Sequence, residues 1–183
     1  MNNCQQFTLI LLSVVMLTEL PSVAQPFGYL KSANFPQVKQ NTRSYIGLRY
    51  QGRKLPKGIQ EIAGWTVGTG TEPRQSYGVS YVRQGSQQML WFQNLVSRDR
   101  SGNPNWEVID AISLPKFNTG EQIAPPTCKL KGVSDPELIA LVKYEDKEIL
   151  TNIRRAWRAN RRTRKIEEIP PKNIVCQNPA WGV

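Results

Sequence analysis

The chain contains no histidine. That absence removes the commonest general base and metal ligand, and with it every nucleophilic triad that needs an imidazole. Cysteine is scarce, with only Cys4, Cys128 and Cys176, so a zinc centre has little to draw on. Acids are few as well. There are 14 Asp and Glu against 24 Lys and Arg, a formal net charge of +10 that favours anionic partners over some distance but says nothing about fold. No apolar run approaches the roughly 20 residues of a membrane-spanning helix.

The longest such run, residues 7–17, reads as the apolar part of a secretory leader. Pro21 follows, and the small residues Ser22 and Ala24 suit cleavage before Gln25. Cys4 precedes the run, so it is not the lipid-bearing cysteine of a lipoprotein signal. An uncleaved anchor is the alternative. Residues 1–24 are thus expected to be a signal peptide and 25–183 a single exported domain, periplasmic or extracellular, with no transmembrane segment in the mature chain. Removing the leader takes out one acid, Glu19, and no base. In an oxidising compartment Cys128 and Cys176 read first as a disulfide. Such a bridge is worth at most about 4 kcal/mol in the chain-entropy model. Two free thiols are the alternative.

Residues 25–76 read as mostly irregular. Residues 45–50 suit an edge strand, and residues 55–65 suit at most one helical turn because Gly58 and Gly64 interrupt them. From Tyr77 the pattern turns to strands. Tyr77, Val79 and Tyr81 alternate with Gly78 and Ser80, Gln84-Gly85-Ser86 makes a turn, and residues 88–96 are apolar on both faces. A second turn over 97–105 leads to residues 106–114, where Trp106, Val108, Ile112 and Leu114 are expected on one face with Asp110 among them. Residues 138–144 read as a buried strand, although Ser134-Asp135-Pro136-Glu137 is also a helix-start signature. Residues 165–169 and 174–177 read as two short strands around Pro170-Pro171.

Residues 146–169 carry the most distinctive pattern. At about 100° per residue, Ile149, Leu150, Ile153, Ala156 and Trp157 fall within an arc of roughly 120°, with Arg154, Arg155, Arg158, Arg161 and Arg162 opposite. Asp146 suits an N-cap, Glu148 the positive end of a helix dipole, and the arginines its negative end. The spacing predicts a helix over about 147–160. The expected fold is therefore α+β: an antiparallel β-meander with one main amphipathic basic helix packed on the sheet.

The segments IRRAWRANRRTRKIEEI, NIVCQNPAWGV and GSQQMLWFQNLVSRDRSGNPNWEVID resemble a group of uncharacterised exported proteins of cyanobacteria. The likeness covers residues 77–183. It implies export and one fold unit, and transfers no functional residue. Arg164 stands where a glycine turn is expected, which would make this chain more basic than its relatives.

Chemistry of other kinds finds little support. Glu107 and Asp110 are expected on opposite faces of a strand, and Glu145, Asp146 and Glu148 at a helix start. A Ser–Lys nucleophile has no sequence signature. Asp99, Ser101, Asn103, Asn105 and Glu107 place oxygen atoms at every second position, which invites calcium, but the spacing departs from an EF-hand loop and suits a hairpin turn. Among the tryptophans, Trp91 and Trp157 read as core and Trp181 as exposed. From Arg154 to Lys165 there are seven basic residues and no acid. A solvated face that keeps the protein soluble accounts for them; so does a binding face for an anionic polymer or an acidic protein surface, since arginine forks engage carboxylate and phosphate in pairs. Export weighs against nucleic acid. The first expectation is an exported non-enzymatic protein with no cofactor and no metal, binding an anion through Arg154, Arg155, Arg158, Arg161 and Arg162. An envelope hydrolase using carboxylates or a Ser–Lys pair, and a structural or assembly subunit, are the alternatives.

Overall fold

The computed structural model describes residues 41–68, 76–124 and 126–182. The proposed leader lies outside them. A 3-10 turn, Thr42–Tyr45, precedes β1 (Arg49–Gln51), β2 (Ile59–Gly68), β3 (Tyr77–Gln84), β4 (Gln87–Arg98) and β5 (Pro104–Ser113). Next come β6 (Glu121–Ile123), β7 (Cys128–Leu130), β8 (Val133–Ser134) and β9 (Leu138–Lys143). The chain closes with β10 (Ile149–Leu150), β11 (Ile153–Asn160), β12 (Lys165–Ile169) and β13 (Ile174–Gln177).

These strands make three antiparallel sheets. Sheet I has the order β1-β5-β4-β3-β2, sheet II β12-β11-β9-β6 and sheet III β10-β13-β7-β8. One face of sheet I presents Val79, Tyr81, Leu90 and Phe92 to Ile139, Leu141, Trp157 and Ala159 of sheet II. The other face of sheet II sets Leu138, Ala140, Val142 and Ala156 against Leu150, Ile174 and the two cysteines of sheet III. Sheet II is thus covered on both sides, which is why β9 is buried at five consecutive residues. Cys128 and Cys176 are cross-strand partners in sheet III, both fully buried, and they form the expected disulfide.

The fold class differs from expectation: among the described residues there is no α-helix, and the segment read as an amphipathic helix is β10, a short connection and β11. Double-sided burial produced the misleading pattern. Ala156 faces sheet III while Trp157 faces sheet I, so two adjacent apolar residues imitate a helical stripe. A bulge at Arg154, between the Ile153 and Arg155 pairings, shifts the alternation further. Asp146 and Glu148 cap nothing; the loop is held instead by Asn178, whose side chain donates to the carbonyls of Glu145 (3.2 Å) and Lys147 (3.0 Å).

The expected β3–β4–β5 meander is present in sheet I. Its face assignment needs one correction. Ile109 bulges between the Phe92–Asp110 and Gln93–Val108 pairs, so Val108 packs on one face while Ile109 and Ile112 pack on the other. Asp110 turns toward sheet II, where it accepts the Ile166 backbone N–H at 2.7 Å. The same bulge cancels the opposite-face argument for Glu107 and Asp110, and Glu107 pairs with Arg49 at 3.4 Å. Residues 55–65 hold no helical turn, because β2 runs through Gly64 with bulges near Ile62 and Val67. Of the expected edge strand, residues 45–50, Arg49 and Tyr50 lie in β1, which runs on to Gln51, while Gly47 and Leu48 exchange backbone bonds with Val108 and residues 42–45 form the 3-10 turn.

Candidate functional site

The five arginines do not form one open face. Arg154 leaves the ladder at its bulge, meets Glu121 at 2.7 Å and donates to the Lys116 carbonyl at 3.0 Å. Arg155 engages Glu168 with two bonds, 2.8 and 2.5 Å, and its guanidinium lies 5.4 Å from the Trp157 ring centre. Neither adjoins the remaining three. Arg158, Arg161 and Arg162 line one hollow with Tyr77, Glu137 and Asn160, about 590 Å³ in volume.

Within that hollow, carboxylates already hold two of the three. Arg158 reaches Asp135 at 2.7 Å and Glu137 at 3.4 Å, and the other oxygen of Glu137 takes Arg161 Nε at 2.6 Å. Arg161 also lies flat against β2: a Cβ on Gly68 would sit 2.2 Å from its Nη1, so that position must be glycine for the contact to exist. Arg161 thus bridges sheet II to sheet I, and Arg158 fastens β11 to the segment ahead of β9.

One group of unpaired cations stands at the β11–β12 connection. Arg162, Arg164 and Lys165 are exposed, and among the described residues no carboxylate lies within ion-pair distance of any of them. Asn160 builds the turn: its side chain accepts the N–H of Arg162 (3.0 Å) and of Thr163 (3.3 Å), and its carbonyl accepts the N–H of Arg164 (2.8 Å). Arg164 adopts φ +60°, the left-handed region in which a side chain costs about 1 kcal/mol and glycine does not. Behind the tip, Thr163 Oγ1 donates to Glu167 at 2.6 Å and Asn160 donates at 2.9 Å. Those bonds, Thr163 first, hold the Glu167 carboxyl below its ordinary range, and the charges of Arg162 and Arg158 add to the effect.

Glu61 is the sole acid lining its hollows, whereas Asp135 and Glu137 meet beside the basic hollow, where both are engaged by Arg158 at 2.7 and 3.4 Å. Among the described residues no cluster of three acids or cysteines suits a metal ion. Asp99, the first oxygen of the calcium reading, instead accepts the N–H of Ser101 (2.9 Å) and Asn103 (2.8 Å) and the side chains of Asn103 and Gln51. These bonds, the Asn103 side chain foremost, hold its carboxyl low and close the hairpin turn.

One polar feature escaped the sequence reading. On the face of sheet I turned away from sheet II, Tyr50 donates to Gln93 Oε1, Gln93 Nε2 donates to Ser80 Oγ (2.9 Å), and Ser80 donates to Glu61 Oε1 (2.8 Å). Ser80 and Gln93 are buried, at 1% and 4% exposure. Burial raises the Tyr50 hydroxyl above its ordinary pKa. The trace of this chain in the sequence is Gln93 within a strand that reads as apolar on both faces, where a buried polar residue needs a partner.

Fold and site together define a disulfide-pinned, all-β, strongly basic domain. Comparison of the chain with protein-family models, with curated proteins and with solved structures gives no match. The resemblance over residues 77–183 therefore rests on its quoted segments alone. Among the described residues no helix is long and apolar enough to cross a membrane.

Proposed function

We propose that this protein is an exported binding domain, not an enzyme, that docks on an anionic envelope polymer or an acidic protein surface through the tip of the β11–β12 hairpin. The carrying observation is the set Arg162, Arg164 and Lys165, exposed and without carboxylate partners among the described residues, on a turn that holds Arg164 at φ +60°. Arg158 and Arg161 support that turn from the adjoining hollow, with Asp135 and Glu137 fixing their guanidinium groups. Arg154 and Arg155 are engaged elsewhere and take no part. A buried disulfide in a domain of this size suits an oxidising compartment, which favours envelope partners over nucleic acid.

Retention on a phosphate-bearing matrix at low salt tests the reading. Replacing Arg162, Arg164 and Lys165 by Gln should remove most of it. Replacing Lys129, Lys131 and Lys172, also exposed, removes the same charge elsewhere and should remove little. Equal losses from the two triple variants would reduce the effect to net charge and contradict the proposal.

A further inference from the structure

The hydrogen-bond chain on the outer face of sheet I lies at the floor of an open trough of about 650 Å³, well within the size of small-molecule sites. Every donor in that chain points the same way, from Tyr50 through Gln93 and Ser80 to Glu61. The chain therefore ends on a carboxylate. Glu61 has no cation within ion-pair distance and only Ser80 as a hydrogen-bond partner among the described residues, which leaves its second oxygen available. Gly64 makes room for this: a Cβ there would lie 2.7 Å from Glu61 Oε1, so a side chain would push the carboxylate off Ser80.

The walls supply the complementary chemistry. Arg53 and Lys54 are exposed on the β1–β2 connection and line the same trough, offering donors. Trp106, half-buried, pairs across the ladder with Tyr50, and both residues also line a neighbouring hollow of about 410 Å³. A ring accessible from two hollows is a stacking surface. A network that served folding alone would be closed by its own partners. This one opens onto solvent with an unused acceptor at its end.

We infer that this trough binds a neutral polyhydroxylated ligand, a short saccharide. Glu61 repels an anion, and Arg53 with Lys54 repel a cation. Hydroxyl groups satisfy both sets at once, donating to Glu61 and accepting from the rim, while the C–H face of a sugar ring covers Trp106. This site is separate from the basic hairpin and does not depend on it.

The test is calorimetry and intrinsic fluorescence with cellotetraose, chitotetraose and maltotetraose. The expected result is saturable binding of at least one, weakened about tenfold by Trp106→Ala, which removes the stacking ring. Glu61→Gln, nearly isosteric, should weaken it about fivefold, the difference between a charged and a neutral acceptor. The Arg162, Arg164 and Lys165 triple variant should bind as the parent does. Thermal melting reports whether Trp106→Ala folds, and Glu61→Gln decides the matter if it does not. No signal from any of the three sugars up to about 20 mM overturns the proposal, since weaker binding is below useful affinity. Binding untouched by the folded variants overturns it too, as does saturable binding of alanine alone, which would mark a zwitterion site.

Discussion

Arg155 grips Glu168 in a two-point fork, at 2.8 and 2.5 Å, while its guanidinium lies over Trp157, the residue that pairs with Glu168 across the ladder. One arginine thus joins β11 to β12 and roofs the edge of the main core. Both partners are half exposed, so the pair is worth about 0.5–1 kcal/mol in a double-mutant cycle. Arg155→Lys should lose most of that, because an ammonium supplies neither the fork nor the planar stack. Urea unfolding checks this, and a coupling of zero would leave the fork ornamental.

Acid should loosen the same hairpin. The Arg155 bond holds Glu168 below the ordinary carboxylate range, and Thr163 and Asn160 do so for Glu167. For Glu121, burial pushes upward, but the Asn118 backbone and side chain and Arg154 outweigh it and leave the group low. A carboxyl whose folded value is depressed contributes stability that is complete above the unfolded value of about 4.3 and is lost as pH falls through the folded value. Stability should therefore be flat near neutrality and decline below about pH 4. Carboxyl NMR titration should place Glu167 and Glu168 below the unfolded glutamate value.

Arg164→Gly should stabilise the protein by about 1 kcal/mol, since glycine enters φ +60° without the Cβ clash. The same change should weaken retention on an anionic matrix. Higher stability with unchanged retention would mean that Arg164 is strained for no purpose connected with charge.

Reducing the Cys128–Cys176 bridge, or replacing both by Ser, should cost up to about 4 kcal/mol for a loop of 48 residues. Both sulfur atoms lie in the core between sheets II and III, so the loss should appear as a lower melting temperature of the whole fold.

Strands were readable where alternation, a short apolar length or bounding turn residues marked them. The β3–β4 hairpin, the buried β9, the short β12 and β13 and the cysteine pairing follow from alternation, length and turn residues. The burial of Trp91 and Trp157 and the exposure of Trp181 follow as well. Strand β11 defeated the method because both faces of sheet II are covered there, and period-2 alternation vanishes when neither face is polar. One signal in β11 counts against a helix. Arg154, Arg158 and Arg162 at four-residue spacing repel one another on a helix. As a strand, the same segment sets Arg155 and Arg158 beside Glu168 and Glu167 across the RRTR turn. Opposite charges on either side of a four-residue turn indicate a hairpin. The arginines were visible as a group, but their partners Glu121, Asp135 and Glu137 come from distant strands and connections that only the fold brings close.

The most direct test of the central claim is a backbone NMR titration of the full domain with tripolyphosphate. The account predicts saturable shifts concentrated at Arg162, Thr163, Arg164 and Lys165, lost when the three cations become Gln, with Arg154 and Arg155 unmoved. Shifts spread evenly over all exposed lysines and arginines, or centred on Arg154 and Arg155, would contradict it.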